Sequence, residues 1–336
     1  MRKPRILGRN TTNYYHLMSR VVSGDFLLKE EEKTFFQNTM RKLERFMGVN
    51  VLTYCIMSNH FHILAEVPEV KDLPDEELLR RIQYFYKGIH AKLRLKEYEE
   101  IKKEAEETGN DRRLKAWRKR YLNRMGNLSI FGKELKERFT RWYNWKNNRE
   151  GAFWSARFKS VLVENSESAL SIMAAYIDLN PVRAKMVTDP KDYRFCGYGE
   201  AVAGGKLAQA GICAWAQMDR RDRKKVSWSV ASSMYRTHLF VEGDGKGIDP
   251  EEVKKVLEAG GELSTKELLH CRIHYFSNGL AIGSKAFVEN IFETHRTWFS
   301  KKRTSGARKI RNAEDSFFCL RDLRIEPIRA SGINIE

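Results

Sequence analysis

The sequence predicts an α+β protein: a ferredoxin-like or RRM-like antiparallel sheet with packed helices, continued by a mostly helical C-terminal extension. Three observations carry this prediction. Residues 13–22, and the two runs 51–57 and 61–67, are rich in aromatic and β-branched residues and bounded by turn residues, as strands are. Between the first and second lies 30–47, where Phe35, Phe36, Met40, Leu43, Phe46 and Met47 recur at helical spacing and Gly48 follows as a C-cap. The order strand, helix, strand, strand is the first half of a split βαβ unit.

The rest of the chain can be taken in order. Gly24-Asp25 breaks the first strand, Ser58-Asn59 separates the second from the third, and Pro68 closes the third. Leu73-Pro74-Asp75-Glu76-Glu77 starts a helix with acids in its first turn. It opens a charged helical insertion over about 73–128, interrupted at Thr108-Gly109-Asn110. Ile130 to Trp145 is an amphipathic helix carrying Phe131, Leu135, Phe139, Trp142 and Tyr143. An extended segment, 152–164, leads to Ser166-Glu167-Ser168, which caps a helix that Pro181 stops. Ala203-Gly204-Gly205 reads as a linker, so the boundaries expected are a domain over 1–200 and an accessory, mostly helical, basic region over 206–336, with a loosely ordered tail.

Composition narrows the function. A net charge of +17 calls for a polyanionic partner, with nucleic acid the first candidate. The cations cluster: Arg112 to Arg124 and His295 to Asn312 each hold seven Lys/Arg and no acid. Trp117 and Tyr121 in the first, and Trp298 and Phe299 in the second, are rings on which bases could stack, or anchors of a solvated helix face. No apolar run approaches the roughly 20 residues that span a bilayer, and no apolar segment follows the basic N-terminus. The five scattered cysteines, without a Cys-x-x-Cys, suit reduced thiols in a cytoplasmic protein.

The chemistry concentrates in two places. His60 and His62 flank Phe61 at the head of the third strand, and alternation along a strand sends both imidazoles to one face and Phe61 to the other. Such a pair is half of a metal site, and by itself it equally fits two ordinary strand residues. His16 reads simply as a strand residue. About 115 residues downstream, Tyr176-Ile177-Asp178-Leu179-Asn180-Pro181-Val182-Arg183-Ala184 ends a helix. Tyr176 offers a phenol, a weak nucleophile until a metal or base assists it. Asn180, four residues on, shares its helix face, whereas Asp178 lies about 200° around the helix. Arg157, Lys159, Arg183, Lys185 and Arg20 are candidate phosphate contacts.

Met57-Ser58-Asn59-His60-Phe61-His62-Ile63-Leu64 resembles the His-hydrophobic-His motif of the HUH single-strand endonucleases, and the Tyr176 block resembles the tyrosine motif of their small insertion-sequence transposase branch. Phe139 to Asn144, and Gly151 to Val163 with Arg157-Phe158-Lys159-Ser160, resemble the segment before the tyrosine helix in REP-associated tyrosine transposases. The resemblance covers about residues 10–200. It implies cleavage and rejoining of single-stranded DNA beside a hairpin through a 5′-phosphotyrosine on Tyr176, with a free 3′-hydroxyl and no energy cofactor. It also implies a divalent ion, Mg²⁺ or Mn²⁺, held by His60 and His62. The third ligand in the wider family is a glutamine; here Asn180 stands at that offset, one methylene shorter. Two rivals remain. One is a host-recruited nucleic-acid-binding protein on the same fold that does not cut. The other is a metal hydrolase using water, which would want more carboxylates near the histidines than Glu66. The active species is expected to be a monomer or homodimer.

Overall fold

In the computed structural model, residues 5–7, 11–69, 72–217, 225–240, 279–310 and 317–321 are described. The predicted opening is present as β1 (Asn13–Arg20), α1 (Glu30–Met47), β2 (Asn50–Ile56) and β3 (His60–Val67). Gly48 closes α1 with φ +66°, a left-handed conformation that glycine adopts without a Cβ penalty, and its N–H returns to Glu44 O. The insertion forms α2 (Asp75–Phe85), α3 (Ile89–Thr108) and α4 (Arg112–Leu122), followed by α5 (Leu128–Lys146). β4 (Lys159–Val163) leads to α6 (Glu167–Asp178), whose Ser166 cap accepts from Ala169 N, and to the short α7 (Asn180–Arg183). Then come α8 (Gly197–Val202), α9 (Lys206–Gln217), α10 (Trp228–Phe240), β5 (Ala281–Gly283), α11 (Lys285–Thr294), β6 (Ala307–Lys309) and β7 (Phe318–Leu320).

The strands form one sheet in the order β2-β3-β1-β4-β5-β7-β6, antiparallel except for the β4–β5 pair. Directly opposed residues of an antiparallel pair share a face. Met18 lies opposite His62, Arg20 opposite His60, and Val161 opposite His16, so these residues look out from one face. That is the face α6 packs on, against β2 and β3. Phe61 points the other way, as alternation predicts, and its ring centroid lies 4.7 Å from Phe36 of α1 and 5.4 Å from Trp154. Phe139 of α5 joins them, 5.7 Å from Phe36.

Two expectations are corrected. The region beyond 205 is not set apart in its described residues. There α9 packs on β2, the edge strand of the sheet, Trp215 Nε1 donates to Ser171 of α6 at 3.0 Å, and β5, β7 and β6 extend the sheet past β4. Those described residues are mostly helical, as expected, in α9, α10 and α11, with the short strands β5, β6 and β7 beside them. Each strand has only three residues, too few to show alternation in sequence. Of the glycine-rich stretch expected at 240–260, all beyond Phe240 lies outside the described residues, as does the tail beyond 321.

The basic run 112–124 is the second correction. Trp117 and Tyr121 are 1% and 2% exposed, with Trp117 packed against Tyr98 of α3, so neither is a stacking platform. The acids missing from the run come from its flank and its neighbours. Arg118 pairs with Asp72 and Asp75, Arg120 with Glu97, Arg113 with Glu104, Lys115 with Asp111 and Arg124 with Glu134. In the second cluster Arg296 spends its guanidinium on the carbonyls of Phe299, Ser300, Lys301 and Arg303, and Phe299 is buried. Arg311 and Asn312 are outside the described residues. No described helix is long and apolar enough to cross a membrane. Among the described residues Cys55, Cys196, Cys213 and Cys319 form no disulfide; Cys271 is outside the described residues.

One polar residue sits at the centre of the packing. Asp178, fully buried at the end of α6, accepts from Thr53 Oγ1 of β2 at 2.6 Å, from Tyr198 N of α8 at 3.1 Å, and from the Tyr235 hydroxyl of α10. Burial raises its pKa to about 6, against the opposing pull of these donors. A raised folded-state value means that the stability Asp178 contributes is complete below about pH 4 and is lost as pH rises through 6. The stability difference between wild type and Asp178→Asn, followed by denaturant unfolding, should therefore shrink over that interval, by up to about 3 kcal/mol. A difference independent of pH would contradict the assignment. Tyr235→Phe should cost about 1–3 kcal/mol, because it leaves the buried carboxylate short of a donor.

Candidate active site

The face beneath α6 brings together residues more than 100 positions apart in sequence. Tyr176 lies edge-on to His62, with ring centroids 5.5 Å apart, and to His16 at 5.8 Å. His60 and His62 are 5.0 Å apart and nearly perpendicular, at 89°. Arg183 of α7 stacks on Tyr176, its Cζ 4.4 Å from the ring centroid, and donates to the Tyr176 carbonyl. The half-buried phenol is thus held between a guanidinium and the imidazoles.

The imidazoles are oriented for ligation. His60 Nδ1 contacts Asn59 Oδ1 at 2.6 Å; since that oxygen only accepts, Nδ1 carries the proton and Nε2 keeps its lone pair. His62 Nδ1 lies 2.8 Å from His16 Nε2, with the two rings stacked, so His62 too has its Nδ1 engaged. This is the pattern of metal-binding histidines, whose second nitrogen is fixed by a neighbour. Burial, followed by the charge of Arg20, lowers the His60 pKa to about 4. Burial, with His16, His60, Arg183 and Arg20 adding to it, puts His62 well below the ordinary imidazole range. Both rings are neutral at physiological pH, the form that ligates.

The remaining predicted residues divide. Arg20 stands beside His60 in register, and Lys159 is exposed opposite Met18 on the same face. Asn180 uses its amide N–H groups on Tyr176 O at 2.9 Å and Ile177 O at 3.2 Å, folding back onto the end of α6. Lys185 is exposed just past α7 with φ +56°. Arg157 is not with the tyrosine: it lines a cleft against α5. Glu66 is engaged by Asn50 at 3.0 Å; four residues along β3 from His62, it is roughly 13 Å away. Among the described residues no group of three or more His, Cys, Asp and Glu is arranged to hold a metal ion. His16 is the residue that sequence reasoning passed over. Its signal was the two-residue period of β1: His16, Met18 and Arg20 share a face, and Arg20 had already been singled out as a phosphate contact.

Residues 10–125 match the model of a family described as IS200-like transposases. The match takes in β1, α1, the His60/His62 strand and the helical insertion, and ends before Tyr176. It supports the resemblance to tyrosine transposases carried by the motifs. Among solved structures, the chain is similar to a REP-associated tyrosine transposase bound to a REP hairpin, at 14% identity and a TM-score of 0.38, over 61% of this chain and 87% of that one. No curated protein matches.

Proton NMR of the imidazoles should put the His60 midpoint near pH 4. With the folded value depressed below the unfolded one, the stability tied to neutral His60 is present above about pH 6.5 and lost as pH falls through 4. A midpoint at 6.5 would contradict the burial described here.

Proposed function

We propose that this chain, IS200-like over residues 10–125, is a metal-dependent tyrosine transposase that cuts and rejoins single-stranded DNA beside hairpins. The observation that carries the reading is the Tyr176 ring set 5.5 Å from His62 and 5.8 Å from His16. A binding surface has no need of a phenol laid over neutral, oriented imidazoles.

The Tyr176 oxygen attacks the scissile phosphorus. A phosphotyrosyl bond to the 5′ side forms, the bond to the 3′ oxygen breaks, and the proton lost by the phenol is matched by the one gained by the 3′-hydroxyl. One phosphodiester replaces another, so no nucleotide hydrolysis is required, and rejoining is the reverse attack by a 3′-hydroxyl. His60 and His62, through Nε2, would hold the divalent ion, Mg²⁺ or Mn²⁺, with Asn180 Oδ1 as the third protein donor; when bound, the ion polarises the scissile phosphate. Arg183 holds the tyrosine ring from the other side, and its charge, with that of Arg20, offsets the negative charge that gathers at the phosphate. His16 acts through His62, fixing its ring by the 2.8 Å contact. Lys159 and Lys185 are exposed cations for the flanking strand.

The test is covalent capture. With a single-stranded hairpin substrate and Mg²⁺ or Mn²⁺, the wild-type protein should give a protein–DNA band on a denaturing gel, and Tyr176→Phe and His62→Ala should each abolish it. Tight, metal-independent binding without a band would favour the non-cutting protein on the same fold. A band that survives Tyr176→Phe would end the tyrosine reading.

A further inference from the structure

On the opposite face of the sheet from the histidines, α5 and the segment 152–158 enclose a cleft of about 710 Å³. Its wall is apolar: Ile130, Phe153, Trp154 and Phe158. Its polar lining is dominated by cations. The Arg5 guanidinium lies 3.9 Å above the Phe158 ring and donates to Ser129 Oγ at 2.8 Å. The Lys136 ammonium, 5.5 Å from the Trp154 ring centroid, donates to the Ala156 carbonyl. Arg141 and Arg157 are exposed at the rim. The one acid of the lining, Glu137, is within 3.8 Å of Lys133. Among the described residues no carboxylate pairs with Arg5 or Lys136. Burial first, and the charge of Arg157 second, lower Arg5 to about 10 and Lys136 to about 8. Desolvated cations that face one another without a counter-charge are costly. A ligand with an anionic group and a flat apolar body would relieve that cost while filling the cleft.

The cleft is also joined to the tyrosine site. Ser155 donates to the Arg20 carbonyl through its N–H at 3.0 Å and its hydroxyl at 3.1 Å, and Trp154 bridges to Val21. Arg20 stands opposite His60. The backbone at 154–155 is therefore about two strand spacings, roughly 10 Å, from the backbone of His60, at the end of the sheet. We propose that this cleft binds a nucleotide of the DNA strand that runs through the tyrosine site, its base against the apolar wall and its phosphates at Arg141 and Arg157. The inference rests on the transposase reading for the identity of its ligand.

The experiment measures fluorescence anisotropy of a fluorescein-labelled, hairpin-free single-stranded 12-mer, with Tyr176→Phe as the parent so that nothing is captured covalently. Arg141→Ala/Arg157→Ala should weaken binding about 10-fold or more, and should flatten the dependence of log K on log salt by about 1.4, at ~0.7 per phosphate contact. Removing two exposed cations elsewhere, Lys115→Ala/Lys301→Ala, should do neither. Unchanged affinity and slope in the cleft variant, or an equal loss in the control, would overturn the proposal. A 5-iododeoxyuridine 12-mer should photocrosslink to the tryptic peptide 150–157, which bears Phe153 and Trp154; crosslinks confined to peptides outside 150–159 would overturn it. Displacement of the 12-mer by micromolar dAMP would reassign the cleft to free nucleotides and overturn the strand assignment. These outcomes are separable from the transposase reading, because capture at Tyr176 by the wild-type protein is scored independently.

Discussion

The structure depends on a carboxylate buried where helix meets sheet. Asp178 anchors the end of α6 to Thr53 of β2, and at the same time receives α8 through Tyr198 and α10 through Tyr235. Because β2 is the edge strand and β3 and β1 follow it, a helix fixed over β2 at Asp178 can lay Tyr176, about 200° away around its axis, across the histidines of β3 and β1. Four elements thus converge on one side chain, and the position of the phenol follows from that convergence. The C-terminal helices are part of the same construction. Trp215 and His238 both bond to Ser171 of α6, one to its hydroxyl and the other to its carbonyl, so the helix that carries the tyrosine is clasped from outside as well as below.

Much of this was legible in the sequence. An aromatic and β-branched run, a helical run with a glycine C-cap and an interrupted pair of apolar runs gave β1, α1, β2 and β3 to within a few residues. The placement of Phe61 and the two histidines on opposite faces followed from strand geometry alone. Three features were not legible, each for a physical reason. The role of His16 depends on which strands are neighbours, and a single strand does not carry that information. The charge of 112–124 was neutralised largely by acids on other helices, which the linear run cannot display. The strands at 281–283, 307–309 and 318–320 are too short for a periodicity; the first pairs with the edge of β4, and the others add to it in turn.

The distribution of charge links fold to chemistry. At the tyrosine site the imidazoles are kept neutral by burial and by the field of Arg20 and Arg183, while those arginines remain as cations beside the place where a phosphate would sit. At the far side of the sheet, Arg5 and Lys136 lie over aromatic rings with no carboxylate paired to either among the described residues. A net +17 is therefore not spread evenly as solubility. Much of the insertion's charge is consumed in ion pairs, while exposed cations stand beside the tyrosine site at Lys159 and Lys185 and at the cleft rim at Arg141 and Arg157.

In the proposed reaction Tyr176 is the residue joined to DNA. The direct measurement is mass spectrometry of the captured complex after nuclease and trypsin digestion. The tryptic peptide 160–183 contains a single tyrosine, Tyr176. This peptide should carry the added nucleotide mass, with fragment ions placing it on residue 176. An adduct on another peptide, or cleaved DNA with no modified peptide at all, would contradict it.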